Sequence, residues 1–428
     1  MAEKLIVKNF AGITDLEIEI KRINILIGPQ ASGKSVCAKL LFYFKNFVWE
    51  ILSVVENDQT KRNLDSNYSK KFQEYFPPDS WGKQYFFIRY EIANVFIEVR
   101  KEETQGKISF SYSELFKKEL TELRNLFKKA RDKNSEKHGM YYDYNQLYLS
   151  QFLKDNLVEF LVTSIGREAA FTQLFIPAGR SFFADLQNNI FSFLSSNNAL
   201  DPFLREFGSI YENIKRVRIV SRGRVGEKDV KDIQQVEINR LIEKSLCGKH
   251  VQEKGKDFLE VADGRRISIA NSSSGQQETL PLTIMLAKLP FLSSGRAGQT
   301  LYIEEPEAHL FPSAQRNIVE LIATVFNYRK EQLQFFITTH SPYVLTAFNN
   351  LLQAGLLYQE SSGDVQRQLE KIVSRYKSLD ISDLSAYVLM DGKCRSIVCP
   401  ETGLIDAKVI DSVSDDLAIE FEQLLNLV

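Results

Sequence analysis

The chain has 428 residues, 44% hydrophobic and 25% charged, with a formal net charge of -1. That length can bury a large core in one domain or two lobes, and the composition excludes a disordered chain, a collagen-like repeat and a disulfide scaffold. A near-neutral molecule is no polycation, so any nucleic-acid contact must come from a local basic face.

Leu5-Ile6-Val7 and the alternating Leu16, Ile18 and Ile20 predict an opening pair of strands, and Ile23 to Ile27 a short buried one. A helix follows from Lys34, carrying Ala38, Leu40, Leu41 and Phe44 inward. YFFIRY, VFIEV and ISFSY predict strands within 85–112. From Ser113 to Lys137 the pattern is helical and charged, with Leu115, Leu120, Leu123 and Phe127 at helical spacing. A further helix is expected from Asn145 to Ile165. LFIPAGR reads as a strand ending in a Pro/Gly loop, and FADLQNNIFSFL as a helix. FLEVA and RISIA predict a hairpin over 257–270, turned by Asp263-Gly264 in a type I′ turn. A helix (281–289), a strand (300–304), a helix from Pro312, a strand (334–338) and a helix from Pro342 complete the alternation of a parallel α/β sheet. Asp391-Gly392 opens a late hairpin, and DDLAIEFEQLLNLV is a closing helix.

The cysteines Cys37, Cys247, Cys394 and Cys399 form no CxxC pair, which fits reduced thiols in a cytosol. Cys394 and Cys399 lack a nearby histidine, against a zinc site. No segment supplies the ~18 uninterrupted apolar residues of a membrane helix. MAEKLIVKNF lacks the apolar stretch of a signal peptide, so the expected location is cytoplasmic.

Gly28-Pro29-Gln30-Ala31-Ser32-Gly33-Lys34-Ser35 fits the P-loop pattern GxxxxGK[ST], followed by Val36, between a strand and a helix. Its backbone N–H groups are expected to turn toward a β-phosphate at the helix N-terminus. Lys34 is expected to reach the β- and γ-phosphates of ATP, and Ser35 to ligate Mg²⁺. Leu301-Tyr302-Ile303-Glu304-Glu305 is an apolar strand ending in two carboxylates, Glu304 for the metal side and Glu305 for an attacking water. His340 ends the next strand after Thr338-Thr339, where a parallel sheet binds its ligands. Asn271-Ser272-Ser273-Ser274-Gly275-Gln276-Gln277-Glu278 is a second anion site if a helix starts there.

The order of P-loop, Ser-Ser-Gly-Gln-Gln, Glu-Glu-Pro-Glu and Thr-Thr-His-Ser-Pro resembles the ABC-type ATPases, in the branch holding RecF, SMC heads and OLD-type ATPases. LIVKNFAGITDLEIEIKRINILIGPQASGKS and EEPEAHLFP are similar to that branch, and FIPAGRSFF to an element of its OLD-like members. Residues 45–165 carry no such likeness. The resemblance implies an ABC-type α/β ATPase head with a mixed or parallel central sheet, an antiparallel β lobe and a helical insertion lobe. It divides the chain into a discontinuous core, 1–44 and 257–428, and an insertion lobe, 45–256, for interaction and dimerisation.

The resemblance also implies two protomers sharing each nucleotide. Ser274 and Gly275 then act on the partner's γ-phosphate, with Gln277 in the family's glutamine place. Glu305 becomes the general base, His340 the switch histidine, and Ala308-His309-Leu310 the loop at the dimer interface. Gln30 and Ala31 replace the branch's usual Asn-Gly, and Glu304 stands where many ABC proteins carry Asp. Arg180 and Gln187 compete for the Q-loop position.

Three functions fit. One is a sensor or scaffold ATPase of an antiviral defence system, acting through a separate effector such as a nuclease or toxin. A second is a RecF-like DNA-repair ATPase, for which Lys215-Arg216-Val217-Arg218 and Arg222-Gly223-Arg224 offer a basic stretch against a solvated hairpin. Tyr141-Tyr142-Asp143-Tyr144 could stack on bases or pack within a lobe. A transporter subunit is disfavoured by the KNF…IGP opening. The helical stretches are too short and broken for SMC arms. No Toprim-like DxD cluster or histidine-rich nuclease motif appears, so the effector is expected on another polypeptide. Defence is the favoured reading and repair the alternative.

Overall fold

The computed structural model describes residues 2–82, 84–102, 107–135, 142–185, 201–217, 230–288, 298–406 and 412–425. Fourteen strands are described: β1 (Glu3–Phe10), β2 (Ile13–Glu19), β3 (Ile23–Ile27), β4 (Phe86–Ile92), β5 (Val95–Lys101), β6 (Ile108–Tyr112), β7 (Thr172–Ile176), β8 (Lys249–Glu253), β9 (Lys256–Glu260), β10 (Arg266–Ser268), β11 (Gln299–Glu304), β12 (Leu333–Thr339), β13 (Leu384–Met390) and β14 (Lys393–Ser396). Eleven of them form one sheet in the order β6-β5-β4-β1-β2-β14-β13-β3-β12-β11-β7. From β13 to β7 every pairing is parallel, while β2-β1-β4-β5-β6 is an antiparallel meander-like half. The remaining three strands make a small antiparallel sheet, β10-β9-β8. The fold is thus the mixed-sheet α/β architecture expected from the sequence. Strands β4 to β7, all within residues 45–256, hydrogen-bond into the same sheet as β3, β11 and β12.

Parallel strands buried on both faces explain the continuous apolar runs. Their side chains alternate between two cores, one on each face. Leu26, Phe175, Tyr302 and Phe336 enter the core shared with the helices Lys34–Lys45, Phe47–Glu56 and Lys61–Tyr75. Ile25, Ile27, Leu301, Ile303, Phe335 and Ile337 enter the other, packed by the helices Ser274–Lys288, Pro312–Tyr328 and Pro342–Glu360. The first core is aromatic: the Phe42 ring stands 5.7 Å from both Phe175 and Tyr302 in edge-on geometry.

Two expectations are corrected by the backbone. The turn at Asp263-Gly264 is not type I′, because only Gly264 has positive φ (+83°). Gly264 N–H donates to Val261 O and Val261 N–H to Arg265 O, which makes a three-residue loop closed by a glycine bulge. Asp391 (φ 50°) and Gly392 (φ 72°) do both adopt the left-handed conformation that a type I′ turn needs. The helix expected over 281–289 begins seven residues earlier, at Ser274, because Ser273 and Gln276 close a capping box ahead of it. Among the described residues, no helix is long and apolar enough to cross a membrane.

Candidate nucleotide site

The C-terminal ends of β3, β12 and β11 lie side by side, with Thr338 opposite both Leu26 and Glu304. That register brings the three motifs that follow these strands to one edge of the sheet. The loop after β3 turns at Ala31 (φ 59°) and Gly33 (φ 100°) before the helix Lys34–Lys45 begins. Gly28 is required by space: a β-carbon there would stand 2.1 Å from the carbonyl oxygen of Leu389 on β13. The loop is clamped between two strands, with Pro29, Gln30, Ala31 and Ser35 exposed, Ser32 and Val36 half-buried, and Lys34 buried.

Lys34 folds its ammonium into the loop and donates to Gly28 O (2.8 Å), Pro29 O (2.7 Å) and Ser32 Oγ (3.4 Å). Its Nζ lies 3.4 Å from His340 Nδ1. Burial pulls Lys34 down from 10.5 to about 8, opposed by the negative charges of Glu305 and Glu307. An ammonium beside Nδ1 favours the tautomer with the proton on Nε2. Nε2 in turn faces Glu305 Oε1 at 3.2 Å. Lys34, His340 and Glu305 therefore form one continuous polar line across three strands.

Glu305 has φ 44°, a left-handed conformation that a bulky residue adopts only when held there. Its N–H donates to Thr338 O, which extends the β11–β12 ladder one residue past the strand. Glu304 is buried; its Oε2 accepts from Ala178 N (3.2 Å) and its Oε1 is buried without a partner among the described residues. Glu307, to which the motifs assign no role, accepts from Thr339 Oγ1 (2.6 Å) and His340 N (2.7 Å) through Oε1, and its Oε2 also lacks a partner among the described residues. Thr338 Oγ1 is a third buried orphan at this edge. Buried polar atoms of this kind call for water, an ion or a ligand.

Ser274 is exposed at the start of its helix. Gly275 is buried, and a β-carbon there would meet His309 O at 2.6 Å, so this helix start packs on the loop that follows Glu305. Gln277 spends its amide on the carbonyls of Ile269, Ala270 and Ser272 of its own chain. Arg180 is 1% exposed, and its guanidinium donates to Pro177 O, Glu278 O, Glu304 O and Glu305 O. Those bonds spend its donors on the backbone around the acidic pair. Gln187 lies outside the described residues, as do Tyr141, Arg218, Arg222, Gly223 and Arg224.

The basic stretch is corrected in part. Lys215 and Arg216 close the helix Pro202–Arg216 rather than a hairpin. Lys215 is buried, paired with Glu212 (3.0 Å) and Asp257 (3.1 Å), so its charge does not face solvent.

The model of the AAA ATPase domain matches residues 98–345, more than half of the chain. The chain belongs to the AAA ATPase domain family. The protein is accordingly a P-loop ATPase, an ATP hydrolase, and ATP is what it uses. The family match begins after the P-loop and takes in Arg180, the Ser274 helix, Glu304, Glu305 and His340.

The ATPase is 27% identical over 157 residues to the "Retron Vc95 probable ATPase" of Vibrio cholerae serotype O1 biovar El Tor, a match that takes in 34% of this chain and 27% of that protein. The chain thus spans well under two thirds of that relative. Among solved structures, an SMC head domain from Thermotoga maritima aligns at 12% identity and TM-score 0.36, covering 92% of this chain and 98% of the other. The recombination mediator protein RecF with ATPrS aligns at 13% identity and TM-score 0.32, covering 93% and 98%.

Proposed function

We propose that this ATPase closes as a homodimer around ATP and serves as the sensor or scaffold subunit of a multi-component antiviral defence system. It would control a separate effector, such as a nuclease or toxin. The observation that carries the chemistry is the line from Lys34 through His340 to Glu305 at the sheet edge. In this reading the backbone N–H groups of Gly28 to Val36 and the Lys34 ammonium hold the phosphates. Glu305 accepts the proton of the attacking water, and His340 orients it or contacts the γ-phosphate.

The acidic edge also fits a divalent cation. The orphan oxygens of buried Glu304 and Glu307 are carboxylate donors of the kind Mg²⁺ prefers. Ser35 and Glu304 would hold Mg²⁺, which neutralises charge on the phosphates when bound. Ser274, Gly275 and Gln277 belong to the second protomer's nucleotide; the exposure of Ser274 beside a tightly packed Gly275 supports that reading.

The defence role draws on the similarity to a retron ATPase. A RecF-like repair role is the second reading; DNA is its ligand, and Arg216 at the exposed end of its helix is the residue that favours it. The buried ion pairs of Lys215 weaken it. The test is to purify tagged Glu305→Gln protein from its native host with ATP and Mg²⁺, then determine its mass and contents. A dimer or larger assembly holding a second protein supports the defence reading. A bare dimer retaining DNA supports repair, and a monomer overturns the shared nucleotide.

A further inference from the structure

The loop Pro177–Ser181 joins three parts of the site that the sequence keeps far apart. Arg180 N and Ser181 N donate to the two carboxylate oxygens of Glu278, at 2.9 and 3.1 Å. The Arg180 side chain donates to the backbone carbonyls of Glu304 and Glu305, at 2.7 and 2.9 Å. Ala178 N donates to the Glu304 carboxylate. Glu278 lies four residues into the helix that Ser274 opens, about one turn along it. Arg180 and Glu278 are both buried, at 1% and 3% exposure, so neither can follow solvent when its partner moves. Burial lowers the Arg180 guanidinium from its ordinary value, and Glu278 and then Glu304 oppose that shift.

We infer that Arg180 and Glu278 are positioning residues that couple the Ser274 helix to the backbone at Glu305, so that engaging a partner's nucleotide sets this protomer's own base. The inference rests on the two-protomer reading. The planar guanidinium bridges two successive carbonyls at the very residue held at φ 44°. A shift of the Ser274 helix displaces Glu278, hence the Arg180 loop, hence the direction of the Glu305 carboxylate relative to His340. A small displacement is enough, because interior packing transmits strain rather than absorbing it.

The experiment is a double-mutant cycle on the full chain, with ATP turnover, KM, thermal midpoint and ATP-driven mass measured for each variant. Ser274→Arg blocks engagement of the partner's nucleotide. Glu278→Gln replaces one carboxylate oxygen with an amide nitrogen that cannot accept from the loop. Each is expected to lower kcat about tenfold, the scale of one charge-assisted hydrogen bond, with KM unchanged for Glu278→Gln. The double variant should turn over no more slowly than the slower single one, since a broken relay has nothing left to transmit.

Losses that multiply, or a raised KM for Glu278→Gln, overturn the relay while leaving the dimer intact. Should Glu278→Gln lower the thermal midpoint, Arg180→Lys supplies the second cycle. Lysine keeps the charge but cannot span both carbonyls, so it must show the same lack of additivity. A Glu305→Gln protein that stays monomeric with ATP, together with wild-type turnover in Ser274→Arg, overturns the two-protomer reading and the relay with it.

Discussion

Lys34 Nζ stands 3.4 Å from Nδ1 of His340, although 306 residues separate them in the chain. The contact exists because β3 and β12 pair in parallel, with Thr339 opposite Ile27, so their next residues share an edge. It gives the histidine a direction: its far nitrogen is presented to Glu305 rather than to the P-loop. Lys34 is buried there with Glu305 and Glu307 as its acidic neighbours.

A pH dependence follows from Lys34. With its ordinary value of 10.5 lowered to about 8, the lysine is half deprotonated at about that pH in the free protein. A triphosphate holds the proton on, so binding above pH 8 takes one up. Affinity for ATP should be flat below pH 7 and fall toward about tenfold per unit above the free lysine's pKa. Lys34→Arg, charged throughout, should flatten the profile. Equal dissociation constants at pH 7 and 9, read by a fluorescent nucleotide, would contradict the assignment. For folding the sign is opposite: the unfolded chain binds the extra proton between about 8 and 10.5, so stability rises with pH across that window.

Replacing Glu305 by Gln keeps the size of the side chain and the N–H bond to Thr338 O, but removes the base. ATP should bind with little change while turnover drops by about a hundredfold or more. Steady-state phosphate release beside equilibrium binding checks both halves. Wild-type turnover in the variant would move the base elsewhere, with Glu307 the next carboxylate in the same cluster.

What could be read from the sequence was what is local. A P-loop, an apolar strand ending in two acids and a strand ending in histidine are each contiguous, and the alternation of strand and helix brought them to one edge. The Arg180–Glu278 pair could not be read this way, because its members are 98 residues apart and neither sits in a motif that names the other. Lys215 misled for a related reason. A helix end with Lys and Arg looks like a basic surface, whereas Glu212 one turn before it and Asp257 on β9 take up its charge. The turn at Asp263-Gly264 was misjudged because Asp-Gly serves both a two-residue turn and a bulged three-residue loop, and only backbone φ separates them.

Two glycines offer a comparison of binding with hydrolysis. Gly28→Ala drives a β-carbon into the Leu389 carbonyl at 2.1 Å, against backbone that cannot swing aside. It should destabilise the protein by about 1–3 kcal/mol and abolish ATP binding. Gly275→Ala meets His309 O at 2.6 Å, in the loop that follows Glu305. It should leave each protomer's ATP binding intact and lower turnover. Calorimetric titration of both variants distinguishes them; equal loss of binding would mean that the Ser274 helix also supports the P-loop.

The last prediction concerns the brace behind the site. Lys45, at the end of the P-loop helix, donates to Glu3 Oε1 (2.6 Å) and Gln334 Oε1 (2.7 Å), and is 5% exposed. Glu3 also accepts from Tyr90 OH and Gln334 Nε2, so β1, β4, β12 and the helix meet at one buried carboxylate. Lys45→Met fills the space but strips Glu3 of its only cation among the described residues, leaving a buried charge uncompensated. Stability should fall by about 3–5 kcal/mol, the usual cost of breaking one side of a buried pair. The double variant Lys45→Met with Glu3→Gln should recover much of that loss, because the amide no longer needs a counter-charge. Urea unfolding of the single and double variants measures it. A double variant less stable than Lys45→Met would show that Glu3 acts through its hydrogen bonds to Tyr90 and Gln334 rather than through its charge.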